Sequence, residues 1–123
     1  MSVFNRLRAV TRQGADEPAP QDLLHIVTER GPSTIRIRVR GEVDLYTAPL
    51  LSAALAQSIV GDAAVVVVDL AEVTFMASSG LRVLLDGLER AQRNRCELRL
   101  AGQSAAVRRL VQVAGLDGVF LSE

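Results

Sequence analysis

The chain has 123 residues, of which 49% are hydrophobic, and its 14 basic and 14 acidic side chains cancel to a formal net charge of zero. That length and composition suit one globular domain with a core, and the missing positive field argues against nucleic acid as a partner. A single cysteine, Cys96, excludes an internal disulfide, no Cys/His spacing resembles a metal site, and no apolar run is long enough to enter a membrane. No cofactor is expected, and the cytoplasm is the natural compartment.

The N-terminal segment, residues 1 to 21, reads as an arm. Val3, Phe4, Leu7 and Val10 share one helical face, and Pro18 and Pro20 within Gly14 to Gln21 mark a linker, so the folded domain is expected over residues 22 to 123. Two strand-like runs follow, Leu23 to Glu29 and Thr34 to Val43, joined by Arg30-Gly31-Pro32-Ser33 as an antiparallel hairpin. In the second, Ile35, Ile37 and Val39 alternate with Arg36, Arg38 and Arg40, which predicts one apolar and one wet face.

Thr47 is placed to cap a helix that begins Ala48-Pro49 and carries Leu51, Leu55 and Ile59 at helical spacing to a stop near Gly61. Ala63 to Leu70 contains Val65 to Val68 without alternation, the pattern of a central strand covered on both faces and ended at Asp69. After Ser78-Ser79-Gly80, Leu81, Leu84, Leu85 and Leu88 fall at i, i+3, i+4 and i+7 of a second helix. Glu97 to Ala101 then reads as a strand. Ser104 caps a third helix, Gly115 stops it, and Val119 to Leu121 adds an edge strand. A hairpin followed by alternating helices and strands gives an α/β fold with a mixed sheet of four to five strands and helices packed on one face.

Ser78 and Ser79 stand at a helix N-terminus, where backbone N–H groups lack partners and the helix dipole favours negative charge, so the fold tolerates a phosphate there. Taken alone, Ser78 reads as an N-cap, Asp44 as readily a turn or cap residue as a functional one, and His25 as a surface or half-buried side chain. No Gly-x-Ser-x-Gly, P-loop or His-Glu-x-x-His occurs, so no enzyme is indicated.

The run Asp69-Leu70-Ala71-Glu72-Val73-Thr74-Phe75-Met76-Ala77-Ser78-Ser79-Gly80-Leu81 resembles the STAS domain family, specifically the bacterial anti-sigma factor antagonists. Gly41-Glu42-Val43-Asp44 and the stretch from Val107 to Leu116 are similar to two further motifs of that family, in the same order. The resemblance implies a non-enzymatic switch. Its unphosphorylated form would bind an anti-sigma factor of the histidine-kinase-like serine kinase type and so free a sigma factor. Phosphorylation at Ser78, with Ser79 the second candidate, would release the partner, and a serine phosphatase would restore the first state. The implied docking surface comprises Asp44, Thr74, Met76, Ala77, Ser78, Ser79, Gly80 and Arg82, and a homodimer stays open. The chain departs from the family in having Ala77 where an acidic residue usually precedes the acceptor, and in ending without a final helix. The helical face of the N-terminal arm is expected to dock where that helix would lie, in cis or on a second copy. The competing expectation is a STAS scaffold subunit of a transport ATPase or signalling complex, with the serine structural.

Overall fold

The computed structural model describes residues 17–61 and 63–123. The expectations for the helical face of the N-terminal arm lie outside the described residues. A single helical turn, α1 (Pro20–Leu23), leads into β1 (Leu24–Arg30), so the predicted linker is helical at its end. Pro20 opens the turn, where its missing N–H costs little, and Asp22 Oδ2 accepts the Ala19 N–H at 2.9 Å. The other elements are β2 (Thr34–Val43), α2 (Ala48–Ser58), β3 (Val65–Met76), α3 (Ser78–Arg93), β4 (Glu97–Ala101), α4 (Ala105–Val113) and β5 (Leu121–Ser122).

The five strands lie in the order β1-β2-β3-β4-β5, with β1 antiparallel to β2 and the remaining neighbours parallel. Each of α2, α3 and α4 therefore connects adjacent parallel strands while the chain advances across the sheet in one direction. Right-handed crossovers put all three helices on the same face. The core agrees: Leu51 and Leu55 of α2, Leu81 and Leu84 of α3, and Val107 and Val111 of α4 join Ile37, Val68 and Leu100 in one buried cluster. Mixed-sheet α/β architecture with one helical layer is thus observed as expected.

The central strand is covered on both faces as expected, by different means on each, but it runs further than expected. Val65 to Val68 is not covered by helices on both faces; among the described residues the second face of the sheet carries none. Val67 points to that second face yet is only 2% exposed, because its register neighbours Arg36 and Arg99 can lay their aliphatic stems over it. Apolar continuity here reflects shielding by long side chains rather than a second helical layer. Nor does β3 end at Asp69. It runs on to Met76, and register shifts opposite Arg38/Arg40 and Gly41/Glu42 absorb the irregularity.

Asp69 instead binds locally and across the sheet: its Oδ1 accepts the Ala71 N–H at 3.0 Å, and its Oδ2 lies 3.4 Å from Arg36 Nη2. Arg36 Nη1 also donates to both carboxylate oxygens of Glu123, at 2.9 and 2.8 Å. This hydrogen bond holds the Glu123 carboxyl below its ordinary range and raises the Arg36 guanidinium. A carboxylate depressed in the folded state contributes stability above its unfolded pKa and loses it as pH falls through the folded pKa. Glu123→Gln is accordingly expected to leave melting near neutral pH almost unchanged while reducing the loss of melting temperature on acidification below about pH 4.5, read by circular dichroism across a pH series.

The terminal elements follow the sequence closely. Ser104 caps α4, its Oγ accepting the Val107 N–H at 3.3 Å, and Gly115 with φ +73° ends it. The last strand is shorter than expected, two residues paired to Arg99 and Leu100.

Candidate functional site

Two adjacent parallel strands end together. Val43 of β2 pairs with Met76 of β3, and the Ala77 N–H donates to the Val43 carbonyl at 2.8 Å, so Asp44 and Ser78 emerge side by side from the same end of the sheet. In open parallel sheets the crevice beyond the C-terminal ends of the strands is the usual place for recognition. The motifs around Gly41 and around Ser78, some 35 residues apart in the chain, form one surface for this reason.

On the β2 side, the conformation starts at Gly41, whose φ of +119° is accessible to glycine and strained for other residues. A Cβ there would sit 2.1 Å from the Leu23 carbonyl oxygen. Thr74 donates its hydroxyl to the Gly41 carbonyl at 3.2 Å, tying the two strands where their register shifts. Asp44 then organises the turn into α2: Oδ1 accepts the N–H groups of Tyr46 and Thr47, at 2.9 and 3.0 Å. Thr47 begins the helix as expected but without capping it through its side chain. Fully buried, its hydroxyl accepts the Asp44 N–H at 3.0 Å and donates to the Glu42 carbonyl at 2.7 Å. Asp44 is half-buried and is thereby a turn organiser whatever else it does. Asp44→Ala leaves two backbone donors without their acceptor and should cost about 1 to 3 kcal/mol, measurable as a lower urea midpoint with unchanged slope.

On the β3 side, Ala77 and not Ser78 is the N-cap of α3, with no side-chain capping bond. Ser78 is the first residue of the helix and is exposed. Its hydroxyl is therefore not committed to the cap. Ser79 differs: its Oγ is buried and has no hydrogen-bond partner among the described residues. Of the two serines, Ser78 offers the accessible nucleophile. Below them, Met76 and Gly80 are both buried, so these two residues shape the surface from beneath. A Cβ on Gly80 would lie 2.6 Å from Val43 Cγ1 and 2.9 Å from Met76 Cγ. The first turn of α3 can approach the strand ends closely only with glycine at this position. Gly80→Ala should cost about 1 to 3 kcal/mol by overpacking and push the serines outward, which thermal melting and crystallography of the variant would register.

Arg82 is exposed and lies 3.5 Å from Asp86, one helical turn further on. Ser78, Arg82 and Asp86 therefore follow one another along one stripe of the helix. Reading the motif alone missed the apolar side chains beside it. Leu45 is 81% exposed, Tyr46 51% and Phe75 52%, in the turn after Asp44 and on the strand end before Ser78. The available signal was two large apolar residues inside a short turn between two elements, where exposure is the default. Elsewhere, Cys96 is a buried member of the core, and burial pushes its thiol above its ordinary pKa. Among the described residues no cluster of three or more His, Cys, Asp or Glu side chains suited to a metal gathers, and no helix is long and apolar enough to cross a membrane.

A two-layer fold with its serine-bearing helix start beside the β2 turn is the arrangement of a STAS domain, and the comparisons agree. The family model described as the MlaB STAS domain matches residues 26–122. The anti-sigma-B factor antagonist of Listeria monocytogenes is 37% identical over 93 residues, covering 76% of this chain and 82% of that protein. The anti-sigma-B factor antagonist of Staphylococcus aureus is 31% identical over 93 residues, covering 76% and 86%. The crystal structure of an anti-sigma factor antagonist from Mycobacterium paratuberculosis superposes with a TM-score of 0.73 at 28% identity, covering 82% of this chain and 86% of that one. The chain belongs to the STAS domain family.

Proposed function

We propose that this protein is an anti-sigma factor antagonist whose binding is controlled by phosphate on Ser78. The observation that carries the reading is the contrast at the start of α3: Ser78 is exposed and free of capping duty, while the neighbouring Ser79 hydroxyl is buried. The names of its curated relatives supply the class of partner, an anti-sigma factor. The partner is of the histidine-kinase-like serine kinase type, so that binding and modification use one surface, and a serine phosphatase resets the switch. This chain is the substrate of that chemistry and not its catalyst.

In the unmodified state Leu45, Phe75 and Ala77 supply apolar contact, and Asp44, Thr74, Ser78 and Arg82 supply the polar surround. Large exposed side chains that become fully desolvated carry most of the energy of an interface. A phosphoserine brings about −1.5 to −2 charges into that interface, where desolvation and any facing carboxylate oppose it. Within the free domain the same charge is partly compensated by the helix N-terminus and by Arg82, four residues on, which exchanges Asp86 for the phosphate. Phosphate therefore acts on the partner rather than on the fold.

The reading is tested by labelling. With the cognate kinase and ATP, Ser78→Ala should abolish incorporation and retain partner binding, whereas Ser79→Ala should keep most of the label. Phosphopeptide mapping that places the label on Ser79, Ser52 or Ser104 would overturn the assignment of the acceptor. A second reading rests on Ala77, since the helix start has no acidic residue in front of the acceptor or in its first turn. In it the domain is a constant scaffold subunit of a transport ATPase or signalling complex, Ser78 is never modified, and the partner is retained whatever charge stands there.

A further inference from the structure

The sheet has a long open edge. β1 pairs only with β2 among the described residues, and its main-chain directions follow from the hairpin closure. Gly31 N–H donates to the Thr34 carbonyl at 2.8 Å, and the ladder pairs residues such as Glu29 with Arg36 and Val27 with Arg38. In an antiparallel ladder the hydrogen-bonded pairs alternate, so Glu29, Val27 and His25 point their main-chain groups at β2. Leu24, Ile26, Thr28 and Arg30 point theirs outward.

We propose that this edge is a homodimer interface in which β1 of one protomer pairs antiparallel with β1 of a second copy, with Val27 on the two-fold axis, giving one continuous ten-stranded sheet. The occupant is a second copy because the strand is complementary to itself in that register. The outward-facing residues become hydrogen-bonded pairs, Ile26 with Thr28 of the second copy and Leu24 with Arg30. The intervening pairs are Val27 with Val27 and His25 with Glu29, an apolar contact flanked on each side by a histidine and a carboxylate. Val27 is 57% exposed in the monomer, a β-branched side chain in mid-strand on a wet face that otherwise carries charge. A shift by one residue would leave outward-facing groups opposite residues whose groups point away, and a two-fold at Ile26 or Thr28 would pair only part of the strand, whereas the axis at Val27 pairs the whole of Leu24–Arg30.

The helix-side half of the same edge agrees. Leu24, Ile26 and Thr28 of β1 and Leu50, Ala53 and Ala54 of α2 line an open groove along the strand. In the two-fold pair the grooves of both copies meet, and the small residues of α2 let the two helices approach across the axis. Pairing the edge also removes the exposed ladder that an unprotected edge strand presents to other chains.

The proposal is tested on the full chain by sedimentation equilibrium and disulfide trapping. Wild type should sediment as a dimer, and Val27→Lys, which sets two ammonium groups face to face at an exposed position, should raise the dimer dissociation constant at least tenfold with an unchanged circular dichroism spectrum. Thr28→Pro, which removes an outward-facing donor and none of the bonds to β2, should act in the same direction. In a Cys96→Ala background, Val27→Cys should cross-link rapidly on mild oxidation, because paired non-hydrogen-bonded residues bring Cα atoms to about 4.5 Å. His25→Cys should not, its two copies lying roughly 13 Å apart along the strand. A monomer at all concentrations would overturn the proposal. So would a dimer indifferent to Val27→Lys, equal cross-linking at positions 25 and 27, or a dimer that forms only after removal of residues 2 to 13, which would show the edge filled by the chain's own segment.

Discussion

Ser78→Glu is expected to weaken binding to the cognate anti-sigma factor by about a hundredfold to a thousandfold without unfolding the domain. Two unit charges about 4 Å apart at an effective dielectric near 20 interact by roughly 4 kcal/mol, which corresponds to about a thousandfold in affinity. The upper end applies if a partner carboxylate faces the serine, and the lower end if only desolvation opposes the charge. The stability of the domain should change by no more than about 1 kcal/mol, and in the favourable direction, because the added carboxylate sits at the first position of a 16-residue helix that has no acidic side chain in its first turn. The measurement is capture from native lysate with wild type and Ser78→Glu side by side, followed by titration calorimetry on the partner identified. Loss of capture with an unchanged circular dichroism spectrum supports the switch. Equal capture of one partner by both proteins makes the serine structural and favours the scaffold reading.

Gly41→Ala should be the most damaging single-methyl change in the domain, at about 3 to 5 kcal/mol. Backbone strain at φ +119° contributes about 1 to 3 kcal/mol, and overpacking contributes a similar amount, since the new Cβ would lie 2.1 Å from a main-chain oxygen that cannot swing away as a side chain could. For a domain of this size that should lower the melting temperature by roughly 15 °C or more. The effect on binding is expected to exceed the effect of stability alone. Gly41 sits at the register shift that delivers Glu42, Val43 and Asp44 to the site, and its carbonyl accepts the Thr74 hydroxyl. Partner affinity measured well below the melting transition should therefore fall in Gly41→Ala and stay near wild type in an equally destabilised core variant such as Val111→Ala, a buried site on α4 away from the strand ends. Equal affinities in the two variants would reduce Gly41 to a folding residue.

Local signals in the chain suffice for the architecture and for the location of the serine-bearing helix start. Alternation of Ile35, Ile37 and Val39 with arginines, the helical spacing of Leu81, Leu84, Leu85 and Leu88, and Gly115 as a stop are local signals, each set by side-chain period or backbone freedom within a few residues. The two serines could not be told apart in this way. Their exposure is decided by the pitch at which α3 meets the ends of β2 and β3, with Gly80 against Val43 and Met76, and only that packing buries one hydroxyl and leaves the other in solvent. Thr47 was legible as a helix start, but its bonds to Glu42 and Asp44 depend on a turn at the end of β2, where the register against β3 has shifted through extra residues on β3. The apolar run in β3 reported burial on both faces correctly, but periodicity does not say what does the burying, and on the face without helices Val67 lies between the long side chains of Arg36 and Arg99. Tertiary structure also decided the company of Ser78. Leu45, Tyr46 and Phe75 are unremarkable in the chain and become neighbours of the site because parallel strands β2 and β3 end at the same level, a consequence of register that no local pattern encodes.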